Sequence, residues 1–197
     1  PAVAFDTAGA AHLVWTQAGE DRDGRPTTFV GYARRDGGAW TTAERLPCAP
    51  PEAAEAVACS DAAVAVDAVG RLHVVYVAVR ARAADIVQLE RPAGSRQRWT
   101  AGVRVNDGGD HVRRSAPAVV ADHIGQLHVA WSDGEDGRSE VRYRQRLADG
   151  SWREASTVNE PSAGAQSAPA LAVAADGTVH AAWRDDRDGL PAIWTSM

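Results

Sequence analysis

Three short stretches of this sequence concentrate acidic side chains beside glycine, and they are the first places to look for chemistry. They read Glu20-Asp-Arg-Asp-Gly24, Asp133-Gly-Glu-Asp-Gly137 and Asp185-Asp-Arg-Asp-Gly189. Carboxylate oxygens are ligands that calcium prefers, so calcium is a candidate cofactor. The stretches lack a regular Asp-x-Asp-x-Asp-Gly alternation, and a local network of Asp–Arg ion pairs and Asx turns explains the same residues. A third interpretation is direct hydrogen bonding to a polar ligand.

Histidine recurs in a fixed relation to a glycine and an aromatic residue. The four sets are Gly9-His12-Trp15, Gly70-His73-Tyr76, Gly125-His128-Trp131 and Gly177-His180-Trp183, with 61, 55 and 52 residues between successive glycines. Four imidazoles could suggest a metal, but groups this far apart in a repeat cannot share one ion at about 2 Å. We therefore expect structural histidines that hydrogen-bond between repeats, and aromatic side chains that pack between repeats.

Each set follows an alternating apolar stretch that predicts a strand. Aspartate stands three residues before the glycine in three copies, at Asp6, Asp67 and Asp122. Asp accepts local backbone N–H bonds in a turn, and Gly supplies a positive φ. The fourth copy has Ala174 there, so a different two-residue turn is expected at Asp176-Gly177.

Four antiparallel strands repeated at about 50 residues are the signature of β-propeller blades. The prediction is an all-β β-propeller segment with four four-stranded antiparallel blades represented, the last lacking its outer strand. The blades cover about residues 1–52, 61–110, 115–162 and 167–197. The missing strand is expected from the rest of a larger propeller or from a partner subunit, because an exposed strand edge invites pairing.

Two turns resemble the Asp-box, or BNR, repeats of sialidase-like propellers: Asp36-Gly-Gly-Ala-Trp40 and Asp149-Gly-Ser-Trp152. The resemblance implies that both lie between the third and fourth strands of a blade. A sialidase would also imply an arginine triad, a Tyr/Glu pair and a Phe/Tyr-Arg-Ile-Pro signature. The nearest string here is Glu44-Arg-Leu-Pro47, at the end of an outer strand, and no tyrosine has a Glu partner that can be placed. The resemblance therefore carries the fold and not the activity.

Loops between second and third strands, together with the crossovers between blades, should share one face, the upper face. The predicted ligand-binding residues on it are Asp21, Asp23, Arg113, Arg114, Asp133, Asp136, Asp186, Arg187 and Asp188. No nucleophile elbow or phosphate loop occurs, and no catalytic residue is predicted. The predicted function is a non-catalytic binding or assembly module that recognises a protein or glycan. The alternative is a sialidase-like glycoside hydrolase whose catalytic set lies partly outside this segment.

Composition narrows the partners and the compartment. The net charge is −5, which argues against nucleic acid, and no apolar run approaches the roughly 18 residues of a membrane-spanning helix. Cys48 and Cys59 are the only cysteines and flank an insertion. A disulfide between them would contribute about 2–3 kcal/mol and implies an oxidising compartment. We therefore expect an extracytoplasmic protein, whether periplasmic, cell-surface or secreted.

Overall fold

The computed structural model describes residues 1–48, 58–80, 83–93, 99–108, 112–135, 137–160 and 163–197. These residues form fifteen strands in four separate antiparallel sheets. Three sheets have four strands and the last has three, as the repeat predicts. Within the described ranges there is no helix with the length and apolar character needed to cross a membrane.

Strands pair with their neighbours in chain order in every sheet. Blade 1 contains β1 (Ala2–Phe5), β2 (Ala11–Glu20), β3 (Pro26–Arg35) and β4 (Glu44–Arg45). Blade 2 contains β5 (Ala58–Val66), β6 (Leu72–Val79), β7 (Ala84–Arg91) and β8 (Val103–Arg104). Blade 3 contains β9 (Arg114–Ala121), β10 (Leu127–Glu135), β11 (Arg138–Arg146) and β12 (Ser156–Thr157). Blade 4 contains β13 (Gln166–Val173), β14 (Val179–Asp185) and β15 (Ala192–Ser196).

Successive blades pack face to face, because side chains alternate between the two faces of each strand. On β6, Val74 and Tyr76 pack with residues of blade 1, whereas Val75 and Val77 pack with residues of blade 3. A smaller cluster joins blades 3 and 4 and includes Trp183. The chain is thus a β-propeller segment in which each blade has one face toward the preceding blade and one toward the next.

The repeated aromatic residue fills the gap between blades, as predicted. Tyr76, Trp131 and Trp183 are 0%, 1% and 4% exposed, and each packs against the blade before its own. Trp15 occupies the same position in blade 1 and lies against Gly31, where an added Cβ would come within 2.5 Å of the indole. Gly31 is therefore required for Trp15 to lie flat on its own sheet.

The turn after each inner strand is the same in all four blades. The N–H of Asp6 donates to the carbonyl of Ala10, and the N–H of Gly9 donates back to the carbonyl of Asp6. Ala174 makes the same two backbone bonds, with Thr178 and Gly177. The expectation of a different turn in blade 4 was wrong, since the backbone bonds and the positive φ of the glycine suffice without the Asp side chain.

The histidines of blades 1 to 3 bind within their own blade, which corrects the prediction of bonds between blades. His12 Nε2 lies 3.3 Å from Asp6 Oδ2, and its Nδ1 lies 2.8 Å from Tyr32 Oη. His73 repeats this arrangement with Asp67 and Gln88. His128 repeats it with Asp122 and Tyr143. A carboxylate can only accept, so Nε2 carries the proton and Nδ1 accepts. Each histidine thus ties a turn, a second strand and a third strand together.

Burial sets the protonation of these groups. It lowers the pKa of His12, His73 and His128 below the usual value, although the neighbouring aspartates oppose the shift. Burial alone would raise the pKa of their aspartate partners, but backbone N–H groups and histidine outweigh it and leave those pKa values lowered. The pairs are consequently held as neutral imidazole and ionised carboxylate.

The inner strands of blades 2, 3 and 4 start at Ala58, Arg114 and Gln166, which is three or four residues before the predicted alternating stretches at positions 62, 117 and 169. A β-bulge interrupts each of them after two or three residues, and pairing resumes beyond it. The bulge contains a non-glycine residue with φ near +50°, which breaks the apolar alternation and hides the earlier part of the strand. These three bulge residues are Asp61, Ala116 and Ala168.

Candidate functional site

A cleft of about 400 Å³ opens on the upper face between blades 2 and 3. Its walls come from the start of β5, the end of β6 and the crossover into β9. The described lining residues are Ser60, Asp61, Val77, Val79, Arg80, Ala83, Ala84, Arg113, Arg114, Ser115 and Gly134. Asp61 is the only acid among them. The wall is apolar toward β6 and polar toward the crossover, as in many small-ligand sites.

Arg114 forms the floor of this cleft. It is 4% exposed, its Nε donates to Asp133 Oδ2 at 3.0 Å, and its Nη1 donates to the Ala84 carbonyl at 3.1 Å. Its Nη2 reaches the Gly108 carbonyl at 3.1 Å, in the crossover. The predicted ligand residue Arg114 is therefore occupied in joining blades 2 and 3.

Asp85 lies beneath the floor and is 1% exposed. Arg80 Nη2 stands 2.6 Å from its Oδ2, while Arg104 and Arg114 lie 3.6 and 3.8 Å from its Oδ1. Asn106 Nδ2 also donates to Oδ1, at 3.2 Å. The three arginines pair with this buried carboxylate electrostatically, and Asn106 supplies the hydrogen bond to Oδ1. Its Oδ2 has no hydrogen-bond partner among the described residues.

Asp133 was predicted in a loop, but it lies within β10, where it pairs with Arg114 on β9. Its Oδ2 accepts from Arg114 Nε and from the indole N–H of Trp131, both at 3.0 Å. The strand continues past the apolar pattern because the neighbouring strands keep pairing with it. Asp133 is consequently engaged within blade 3, where it supports Arg114, and offers little to a ligand.

Asp61 supplies the one carboxylate among the described lining residues of the cleft. Its φ is +49°, a conformation that Asp adopts more readily than most side chains. The backbone N–H of Asp61 donates to Thr16 Oγ1 of blade 1 at 3.1 Å. Its Oδ2 lies 3.5 Å from the backbone N of Ala116, the equivalent residue of blade 3, and this is a long bond. Most of the acceptor capacity of this exposed carboxylate therefore faces the cleft.

Arg113 stands at the lip of the cleft with an exposed side chain. No hydrogen bond or ion pair of its guanidinium is found within the described residues, whereas its carbonyl accepts from the N–H of Gly134 at 3.0 Å. At Gly134 an added Cβ would lie 2.5 Å from the Arg138 carbonyl oxygen, so only glycine fits beside the lip. Asp61 and Arg113 are the two charged groups left to contact a ligand.

The remaining predicted residues lie in other loops and have local partners. Asp21 Oδ1 accepts from the N–H groups of Asp23 and Arg25, both at 2.8 Å, and the Arg25 bond is the main reason its pKa is lowered. Asp23 makes an exposed ion pair with Arg25 at 3.5 Å. These residues form an Asx turn in blade 1, as the ion-pair interpretation expected.

The third acidic loop is organised by a residue that the prediction omitted. Asp185 is 1% exposed and accepts from Arg187 Nη2 at 2.6 Å, which holds its pKa far below the ordinary range. Arg187 also lies over the ring of Trp194. Asp186 accepts from the N–H of Ala165, and Asp188 is exposed with no ion pair to a described residue. Asp136 lies outside the described residues.

Calcium stays an untested prediction. No group of three or more His, Cys, Asp or Glu side chains in the described ranges is placed to hold a metal ion. Asp21 and Asp185, at two of the loops in question, already use their oxygens for backbone and arginine donors.

The predicted disulfide is present. Cys48 and Cys59 are bonded, with their Cα atoms 5.8 Å apart, and the bond joins the end of blade 1 to the inner strand of blade 2. The insertion between them, residues 49–57, lies outside the described part of the chain.

Asp61 was not predicted as a ligand-binding residue, because it lies outside the acidic clusters of the sequence. The signal was a break in the repeat: Ser60-Asp61-Ala62 aligns with Ser115-Ala116-Pro117 and Ser167-Ala168-Pro169. At this position blade 2 has an acid where blades 3 and 4 have alanine. Ser60 and Ser115 flank the cleft and were also missed.

The fold and the cleft together define an all-β propeller protein with a candidate ligand site between two blades. Solved propellers match its fold. A protein of unknown function from Dyadobacter fermentans matches with a TM-score of 0.75 and 13% identity, over 99% of this chain and 58% of that one. The β-1,2-mannobiose phosphorylase from Listeria innocua matches with a TM-score of 0.60 and 10% identity, over 100% of this chain and 70% of that one.

A third match is the leech intramolecular trans-sialidase, with a TM-score of 0.58 and 12% identity over 100% of this chain and 30% of that one. At these identities the likeness shows the fold alone. No protein-family model matches the sequence. No curated protein matches it either. The Asp-box resemblance therefore still rests on its own residues, and both turns lie between third and fourth strands.

Proposed function

We propose that this chain is the binding part of a carbohydrate-related propeller protein, and that it holds a glycan without hydrolysing it in the cleft between blades 2 and 3. The observation that carries this is the pair of uncommitted charges, Asp61 and Arg113, beside two serine hydroxyls and an apolar wall. Carboxylates accept from sugar hydroxyls and guanidinium groups donate to them. The neighbouring acids are already bound by arginine, so they compete little for the ligand.

A binding role is favoured over hydrolysis by the composition of the cleft. Glycoside hydrolases use two carboxyl groups, about 5–9.5 Å apart across the scissile bond. Asp61 is the only acid in the described lining. A sialidase-like hydrolase is the second candidate function, because propeller enzymes acting on glycans share the fold. It would need a second carboxyl group from outside the described residues.

Isothermal titration against defined oligosaccharides tests the proposal, with xylo-oligosaccharides, β-1,2-mannobiose and 3'-sialyllactose as probes. Asp61→Ala is a matched change, because alanine already occupies the same backbone conformation at Ala116 and Ala168. We expect it to weaken binding by about 10-fold to 100-fold, the loss of one or two hydrogen bonds to a charged group. Arg113→Ala should weaken binding similarly, while Asp188→Ala, an exposed acid in another loop, should leave it unchanged.

Two results would contradict a glycan-binding cleft. One is the absence of binding to every probe by wild-type protein together with capture of a protein ligand. The other is release of sugar from an aryl glycoside that Asp61→Asn abolishes, which would favour the hydrolase. Binding that survives both Asp61→Ala and Arg113→Ala would place the site elsewhere.

We also propose an extracytoplasmic location, supported by the disulfide and by its place at a junction between blades. Alkylation of unreduced protein from its native cells, followed by mass measurement, tests this. Complete protection of Cys48 and Cys59 is the expected result, and full labelling of both would contradict it.

A further inference from the structure

Blade 1 presents an uncovered apolar face on the side where a preceding blade would pack. Val3 and Phe5 on β1 are 54% and 66% exposed. They pair with Leu13 and Ala11 of β2, so they share this face with Leu13, Trp15 and Phe29. Neighbouring large apolar side chains on one exposed sheet mark an interaction surface.

Trp15 shows what this face is built to contact. The residues in its position, Tyr76, Trp131 and Trp183, are covered by the blade before their own and are at most 4% exposed. Trp15 has the same place in the repeat but no described blade before it, and it remains partly exposed. The face therefore has the pattern of a blade-to-blade interface without its second half.

Blade 4 presents the opposite kind of face. Leu171, Ala181 and Trp183 pack toward blade 3, so the alternate residues of β13 and β14 point away from it. On β13 they are the small residues Ala170 and Ala172, and on β14 they are His180, Ala182 and Arg184, with Ala170 and Ala182 paired opposite each other. They border an open recess of about 430 Å³ that is largely apolar. Ile193 adds a large side chain to this face and is 74% exposed.

His180 also indicates that this face of blade 4 has the geometry of a face that packs against a following blade. Histidines in this position face the next blade, and His12, His73 and His128 are at most 3% exposed. His180 is exposed, and it makes no side-chain hydrogen bond to a described residue because Ala174 and Thr195 replace the acid and the Tyr or Gln. Nothing in the described chain covers it.

The two free faces complement each other. At the described junctions, a face with a large aromatic side chain packs on a face whose inner strand carries alanines: Ala2 and Ala4 below Tyr76, Ala63 and Ala65 below Trp131. The face of blade 1 offers Trp15 and Phe5. The face of blade 4 offers Ala170 and Ala172. The same contact can thus form between two copies of this chain.

We propose that two copies associate head to tail, with blade 1 of each packed on blade 4 of the other. Contacts between unlike faces close into a ring when the rotation allows and otherwise extend without limit. Two copies would place eight blades in one ring, within the range of about four to eight that propellers hold. Both free faces are then buried, which removes the exposed apolar surface of the single chain.

Light scattering coupled to size exclusion tests this association on the chain of 197 residues. The expected mass is about twice the 20.8 kDa of one chain. Phe5→Arg should reduce it to the mass of one chain, and Ile193→Arg should do the same, because each buries a charge in the contact. Val69→Arg and Leu190→Arg are matched controls, since these side chains are 64% and 78% exposed but lie in turns, and both should keep the double mass.

Mixing the two disruptive variants distinguishes a contact between blade 1 and blade 4 from a contact between two identical faces. A Phe5→Arg chain keeps its blade 4 face, and an Ile193→Arg chain keeps its blade 1 face, so an equimolar mixture should regain pairs that neither forms alone. A single-chain mass at every concentration would overturn the proposal and leave both faces to blades carried elsewhere on a longer polypeptide. A pair that survives both arginines, or assemblies that grow with concentration, would also overturn the closed pair.

Discussion

The junction between blades 1 and 2 and the junction between blades 2 and 3 are closed at the same place by different chemistry. In each, the residue two positions before the positive-φ bulge residue of the inner strand reaches back to the crossover. At the first junction it is Cys59, bonded to Cys48. At the second it is Arg114, which donates to the Gly108 carbonyl and to Asp133. At the third it is Gln166, which accepts from Asn159 Nδ2 at 3.3 Å.

The difference shows that the repeat fixes where the closure occurs and leaves its chemistry open. The disulfide acts chiefly by restricting the unfolded chain and depends on the redox state. The arginine closure depends on two carboxylates, Asp133 and Asp85, which would each lose a cation without Arg114. The glutamine closure uses an uncharged side chain, Gln166. Each junction should therefore fail under a different perturbation.

The largest effect is expected from Arg114→Met. Methionine fills the volume but leaves Asp133 and part of the environment of Asp85 without its cation, and breaking a buried charge pair costs about 3–5 kcal/mol. The free energy of unfolding in urea measures this. Arg113→Met is the neighbouring control and should change stability by less than about 0.5 kcal/mol, because its side chain is exposed. Equal losses in both variants would contradict the assignment of Arg114 as the closure.

Removal of the disulfide should have the next largest effect. The double change Cys48→Ala and Cys59→Ala opens a short loop and should cost about 3 kcal/mol. A reductant should destabilise wild-type protein by a similar amount and leave the double variant unaffected. A reductant-sensitive double variant would show that another effect had been measured.

Acid should weaken all three junctions together, in contrast to the reductant. His12, His73 and His128 lie on the faces between blades, and burial lowers the pKa of each in the folded chain. The unfolded chain then binds more protons, so their contribution is complete above the unfolded pKa of about 6.5 and is lost as the pH falls below it. Urea unfolding between neutral pH and pH 5 should show falling stability in wild-type protein and in the disulfide-free variant alike. If the stability of the disulfide-free variant did not fall with pH, the first and second junctions would differ in their response to acid as well.

The fold could be predicted from the sequence because each repeat contains the same local patterns of residues. The glycine, histidine and aromatic spacing located the turns and second strands, and the alternating stretches located the inner strands. The site was harder, because Asp133 and Arg114 looked like free loop charges. Their pairing between two strands of blade 3 joins residues 19 positions apart, which no local pattern records. Asp61 required comparison between copies, where an acid replaces alanine.

The smallest effect, and the one of opposite sign, is expected from Tyr76→Phe. Trp131 and Trp183 donate to Asp133 and Asp185, two residues further along the same strand. Tyr76 has Ala78 in that place, and its hydroxyl is buried with no hydrogen-bond partner among the described residues. Burial accordingly raises the pKa of this phenol strongly. Phenylalanine keeps the packing and removes the unpaired group, so stability should stay constant or rise by about 1 kcal/mol.

Tyr32→Phe is the matched control for that change. Tyr32 Oη is buried as well, but it is bonded to His12 and accepts from Arg91, so its removal should lower the free energy of unfolding. Thermal unfolding of the two variants side by side checks the contrast. A loss of more than about 1 kcal/mol in Tyr76→Phe would mean that the Tyr76 hydroxyl has a partner. The first junction would then have a further polar contact beside the bond from Arg91 to Tyr32, and would differ less from the second.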